Sequence, residues 1–266
     1  MKKIILDIYH AILRIRNRFW NRFLYLTYRF SLKLQYFSKK KYVMGNGIET
    51  INKHKELISS IDHEFNMIKK EFKGMADYYT LYQGLEIANI LGARLTETRY
   101  EEYSLSKYLK DGDKILDVGS NTGFIGAYIT YKYQTTIVDS IEHNKNLSNI
   151  GEHVAKYLGV ETRNNFITAK FQNYQPTNVP YSVIFSFAVH YTDDGGHRVD
   201  LYDYFKRLHS LLGEKGILCF ESHSKDIGSS SFEKTLKKIQ DNGLFKIIER
   251  SLLEEDTRMY IVLVKE

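Results

Sequence analysis

From residue 113 onward, short apolar runs alternate with longer amphipathic stretches. The runs at 114–118, 135–141, 166–171, 181–187, 216–221, 245–250 and 259–264 have the length of strands and are rich in β-branched and aromatic residues. Between them, 124–133, 144–158, 201–212 and 232–241 place apolar residues at helical spacing. The connection 172–180 is short and polar, and it holds both prolines of the chain, Pro176 and Pro180. No helical pattern separates the last two runs, so they read as a hairpin. Regular alternation of this kind predicts an α/β fold: a doubly wound, mostly parallel seven-stranded sheet with one antiparallel strand near the chain's end.

Upstream the pattern changes twice. Residues 1–44 contain aromatic and basic residues, with no Pro and no interior turn signal, and read as a helical arm. At about 100° per residue, Arg14, Arg18, Arg22, Arg29 and Lys33 share one arc, while Ile12, Ile15, Phe19, Phe23 and Leu26 share its neighbour. "MGNG" at 44–47 marks a boundary, and 45–112 reads as helices and connections that form a cap or substrate region ahead of a domain at 113–266.

Charge sharpens this division. Residues 1–43 hold 11 Lys and Arg against the single acid Asp7, a net of +10, so the remainder carries 6 − 10 = −4. The basic character belongs to the arm alone. Such an arm suits an anionic membrane surface, a packed protein face or nucleic-acid phosphates. No apolar stretch in it is long enough to span a bilayer, and Asp7 and His10 interrupt any signal-peptide core. A single cysteine, Cys219, excludes an internal disulfide and fits a cytoplasmic protein, which the arm would hold peripherally at the membrane's inner face.

The segment "DKILDVGSNTGF" (113–124) is the most informative stretch. An apolar run ends in Asp117, then Gly119 and Gly123 punctuate a turn, and a helix pattern follows. This is a strand, a glycine turn and a helix start, the first half of a βαβ unit. Dinucleotide binding asks for G-x-G-x-x-G, which is absent, so a nicotinamide oxidoreductase is disfavoured. His190, Asp193, Asp194, His197 and His223 match no zinc spacing, so no metal is expected. Histidine is nevertheless suited to deprotonating a hydroxyl near neutral pH. His190 and Tyr191 end one strand run in "FAVHYT", while Glu221 and His223 end the next in "FESH".

The D-x-G-x-x-x-G turn, the strand–helix succession, the final strand pair and the "LLGEKGIL" turn together resemble class I S-adenosylmethionine-dependent methyltransferases over 113–266. "DVGSNTGF" also looks like a bacterial subgroup with D-I-G-C-N-T-G-F in that turn. The resemblance implies S-adenosyl-L-methionine as cofactor, with Asp117, Gly119, Ser120, Asn121, Gly123 and Phe124 around its methionine end. It further implies an acid on the ribose hydroxyls, either Glu142 or Asp139, and an adenine-reading residue in "AKFQNYQP". That segment holds no acid, which leaves Gln172 or Asn173. His190, His223 and Tyr191 are the catalytic candidates, and Arg94, Arg99, Tyr100 and Glu221 the acceptor-facing ones. The N-P-P-Y motif of base-methylating enzymes is replaced by "FAVHYT". The expected function is O-methylation of a glycan, glycolipid or other small acceptor near the membrane. RNA methylation using the basic arm and a non-catalytic scaffold are the alternatives, and oligomerisation is left open.

Overall fold

The computed structural model describes residues 47–71, 83–90, 92, 94–176, 180–190, 199–223, 226–253 and 258–266. The basic arm therefore lies outside the described residues, as does Tyr191. The chain divides into two compact units, up to Lys55 and from Glu56 onward. Of the first, only the start of helix α1 (Gly47–Glu71) is described.

In the second unit, a two-residue parallel pair, β1 (Gln83–Gly84) and β2 (Arg94–Leu95), leads into helix α2 (Thr96–Glu102). Then follow β3 (Lys114–Val118), α3 (Phe124–Lys132), β4 (Ile137–Glu142), α4 (Lys145–Leu158), β5 (Asn164–Thr168) and β6 (Tyr181–Phe187). The chain closes with α5 (Leu201–Leu211), β7 (Leu212–Glu221), α6 (Ser230–Asp241), β8 (Phe245–Leu253) and β9 (Arg258–Lys265). The seven-stranded sheet runs β5-β4-β3-β6-β7-β9-β8, parallel throughout except for β9, which lies antiparallel between β7 and β8. From β3 the chain winds first through β4 to β5, then returns to β6 and winds the other way. Its topological switch point is therefore the β3–β6 boundary, where open sheets of this kind bind ligands beyond their carboxyl ends.

Local signals explain most boundaries. Asn144 caps α4 by accepting from the backbone N–H groups of Asn146 and Leu147, and Gly159 ends that helix in the left-handed region. Asp200 and Ser229 cap α5 and α6 in the same way. The "LLGEKGIL" segment was expected as a turn, but all of it after Leu211 lies in β7. The register explains both readings: Tyr181 pairs with Leu212, whereas Val183 pairs with Ile217. The intervening residues bulge out of the ladder, with Lys215 at φ 55°.

Apolar clusters cover both faces of the sheet. One packs Phe205, Leu208, Phe232 and Ile239 of α5 and α6 onto Leu116, Ile184, Leu218, Phe220 and Ile261. The other packs Tyr100, Tyr103 and Leu105 onto Ile115, Val183, Phe185, Cys219 and Tyr260. A third joins Leu57, Ile61 and Ile68 of α1 to Phe124, Leu147, Ile150 and Val154. Cys219 is buried at the sheet's centre and burial pushes its thiol up to about 12, so it is an unreactive core residue.

Candidate functional site

The turn leaving β3 folds as its sequence requires. Gly119 and Gly123 both stand at φ +65°, and Asn121 at 54° is a residue type that tolerates the left-handed region. The turn closes through Gly123 N–H donating to Ser120 O at 2.9 Å. Ser120 N–H also donates to Ile141 O at 2.9 Å, which ties the turn to β4. Space beside the glycines belongs to the protein itself. A Cβ on Gly119 would meet Val189 Cγ1 at 2.7 Å, and one on Gly123 would meet Phe166 Cε1 at 2.4 Å. At both positions glycine meets a positive φ and a close packing contact.

The ligand-facing features are polar atoms. Asp117, next to last in β3, has its carboxyl buried, and Oδ2 has no hydrogen-bond partner among the described residues. Burial pushes this carboxyl up to about 7; Arg99 opposes the shift and Glu142 adds to it. Ser120 Oγ and Gln172 Oε1 are likewise buried without a hydrogen-bond partner among the described residues. Glu142, at the carboxyl end of β4, accepts from the N–H groups of Asn121 (3.0 Å) and Asn144 (2.9 Å), and His143 Nδ1 lies 2.9 Å from it. Two carboxylate oxygens offer about four acceptor positions, so capacity remains for further donors. Asp139 sits deeper in β4 and is engaged by Tyr181 Oη at 2.6 Å and Asn165 Nδ2 at 2.6 Å.

The remaining candidates are spread around this centre. Phe124 is buried in the apolar cluster with Leu57, Ile61 and Ile68 of α1. Asn173 is exposed on the helical turn after β5, beside the half-buried Gln172. Tyr100 is fully buried and shares a 2.6 Å hydrogen bond with Tyr133. Glu221 is completely buried, with Arg99 at 2.5 Å, Arg258 at 2.7 Å and Arg94 at 3.5 Å. Burial favours its neutral form, but these three guanidinium groups prevail and hold it down to about 2. Among the described residues, no group of acids, histidines and cysteine could hold a metal ion.

Three contacts were not legible in the sequence. His190 Nε2 lies 3.1 Å from Asp226 Oδ2, with side-chain exposures of 4% and 0%. Asp226 Oδ2 also accepts from His223 N–H at 2.7 Å. In the turn itself, Thr122 Oγ1 donates to Gln83 Oε1 at 2.8 Å, which links the glycine turn to β1. The "SHSKD" spacing held the only cue to Asp226; nothing in the local pattern marked Gln83.

The family model for protein-L-isoaspartate(D-aspartate) O-methyltransferase (PCMT) matches residues 41–191. The chain belongs to this family. Members of the PCMT family are methyltransferases, and this chain is an S-adenosylmethionine-dependent one. Comparison with curated proteins found no match. Among solved structures, TrmN from Thermus thermophilus shares 14% identity at a TM-score of 0.50, covering 64% of this chain and 48% of that one. The cyclase SpnF shares 12% identity at a TM-score of 0.51, covering 64% of this chain and 79% of that one. A S-adenosylmethionine-dependent methyltransferase from Thiobacillus denitrificans, in complex with S-adenosyl-L-homocysteine, shares 15% identity at a TM-score of 0.48, covering 60% and 68%. At such identities the first two matches speak for the fold alone. That one is a cyclase illustrates why chemistry must be argued from the site.

The residues present suit the cofactor this PCMT-family membership brings. S-adenosylmethionine carries an ammonium, ribose hydroxyls and an adenine amino group, all donors. Three buried atoms at the ends of β3 and β5, Asp117 Oδ2, Ser120 Oγ and Gln172 Oε1, have no hydrogen-bond partner among the described residues, and each can accept from such donors.

Proposed function

We propose that this protein is an O-methyltransferase whose cofactor is held at the β3–β6 switch point. Asp117 would take the ammonium, Glu142 the ribose hydroxyls and Gln172 the adenine amino group. The observation that carries this reading is the buried Asp117 carboxyl with an acceptor oxygen left open. Glu142 is preferred over Asp139 because it ends its strand beside the turn, whereas Tyr181 and Asn165 already engage Asp139. Gln172 is preferred over Asn173 because it carries the open buried oxygen. When bound, S-adenosylmethionine supplies an electrophilic methyl group on a sulfonium.

The chain's own contribution to the transfer is alignment and, for a protonated acceptor, a base. His190 is the better placed imidazole. Asp226, 3.1 Å from Nε2, would hold the ring so that Nδ1 could take a proton from an acceptor hydroxyl. A base of this kind is of use to an alcohol acceptor, such as a glycan or glycolipid hydroxyl. The arm's net charge of +10 supports encounter with an anionic surface where such acceptors are made.

The family match favours a second reading, a carboxylate acceptor such as an isoaspartyl side chain, which is already ionised at neutral pH and needs no base. Calorimetric titration with S-adenosylhomocysteine, beside an Asp117→Ala, Glu142→Ala double variant, tests the cofactor site. Binding by wild type that disappears in the variant is expected; well-folded wild type that ignores the ligand sinks the reading. Labelled-methyl transfer to an isoaspartyl peptide, a bacterial glycolipid extract and bulk tRNA then separates the acceptors. Loss of transfer in His190→Gln is expected for a hydroxyl and not for a carboxylate.

A further inference from the structure

Asp117 and Glu221 belong to different strands yet share one face of the sheet. Asp117 registers with Phe185 of β6, Phe187 lies two residues further along, and Phe187 registers with Glu221 of β7. Alternate residues of a strand point the same way, and partners in register do too. Asp117, Phe185, Phe187 and Glu221 therefore line one surface at the carboxyl end. Helix α2 covers that surface, with Tyr100 and Tyr103 in the apolar cluster beneath it. From the same helix, Arg99 lays its guanidinium over the Phe187 ring, 4.6 Å from the centroid, and pairs with Glu221 at 2.5 Å. It is poised over the strand that separates the two carboxyl groups.

We propose that Arg99 is a shared counter-charge for Asp117 and Glu221, a positioning residue of the cofactor site rather than an acceptor ligand. This rests on the reading of Asp117 as the cofactor's carboxylate. A buried carboxyl needs positive charge nearby if it is to ionise. A guanidinium bonded directly to Asp117 would compete with the cofactor's ammonium for the same oxygens. Arg99 avoids that conflict: its field reaches Asp117 while an Nη2 donor goes to Glu221. Glu221 in turn offsets the positive charge that would otherwise repel a cationic ligand. The charged groups acting on Asp117 are Arg99 from α2 and Glu142 from β4; those around Glu221 are Arg94, Arg99 and Arg258, with the Tyr103 phenol beside them. Since burial pushes Asp117 up to about 7, a modest change in Arg99 alters its ionisation near neutral pH.

The test follows the Asp117 carboxyl carbon by NMR through a pH titration of the cofactor-free protein, a readout that does not require the ligand. Arg99→Gln keeps a donor for Glu221 and removes the charge. Its midpoint is expected about one unit above that of wild type. In parallel calorimetry at pH 7, S-adenosylhomocysteine affinity should fall about fivefold, because about half of the Asp117 carboxyls are ionised in wild type and about a tenth in the variant. By pH 9 the two proteins should bind alike. Arg99→Lys retains charge and ion pair, so its midpoint should stay within about half a unit of wild type. An unmoved midpoint in Arg99→Gln, an equal loss at every pH, or a lysine variant displaced by a full unit would overturn the proposal. If no S-adenosylhomocysteine binds at all, the cofactor reading fails, and the carbon titration still decides whether Arg99 governs Asp117.

Discussion

At Asp117, burial and ligand binding pull in opposite directions. The carboxyl is buried with one oxygen open, and burial raises its pKa to about 7 from an ordinary 3.8. Between those values the unfolded chain releases a proton that the folded chain retains, so this group's contribution to stability falls as pH rises from about 4 to 7. Asp117→Asn removes the ionisation. We expect it to raise the urea midpoint relative to wild type, more at pH 8 than at pH 5, while weakening S-adenosylhomocysteine binding at least about tenfold. A variant that is less stable at pH 8 would show the carboxylate to be satisfied after all. Glu221 has the opposite sign. Held at about 2 against 4.5, it adds stability above pH 4.5 that is lost as pH falls towards 2. Glu221→Gln leaves Arg94, Arg99 and Arg258 without their buried anion and should cost about 3–5 kcal/mol, measured by denaturation at pH 7. These two residues also show what a sequence can reveal. Asp117 was legible because strand, turn and helix start follow one another locally. The partners of Glu221 were not, because Arg99 comes 122 positions earlier and only folding brings the two together. Asp226, meeting His190 across two loops, was hidden for the same reason.

At the level of elements, strand and helix positions were largely readable, because apolar periodicity and caps are local. The ends of β4, β5 and β7 were displaced by a few residues where tertiary pairing overrode the pattern, most visibly at the β7 bulge. A contact invisible in the pattern links the glycine turn to α4. Phe166 of β5 fills the space beside both Gly123 and Gly151, where added Cβ atoms would approach its Cε1 at 2.4 and 2.2 Å. Gly151→Ala should therefore cost about 1–3 kcal/mol by overpacking. Phe166→Leu in the same protein should recover most of that loss. Gly123→Ala should not be rescued, because its φ of +65° is strained for alanine whatever the space. Thermal denaturation of the four proteins checks this. Equal rescue at both glycines would mean that Phe166 alone sets the cost.

For the molecule as a whole, the sheet order places β3 beside both halves of the winding, and the proposed cofactor contacts Asp117, Glu142 and Gln172 stand at or just beyond the carboxyl ends of β3, β4 and β5. No helix among the described residues is long and apolar enough to cross a membrane. If the arm meets an anionic surface as proposed, through its net charge of +10, vesicle binding by the full chain should weaken steeply between 50 and 500 mM salt, roughly as Debye screening shortens. Retained binding at high salt would point to apolar insertion instead. The open oxygen of Asp117 has one more effect, on the protein's lifetime. A ligand that binds only the folded state adds about 2.7 kcal/mol at a hundredfold excess over its Kd. A fold that leaves a buried acceptor for its cofactor to complete is consequently more perishable when empty. Methyl-donor supply would then set the number of surviving molecules as well as their rate of work, so starvation should thin the pool through proteolysis of the unloaded form.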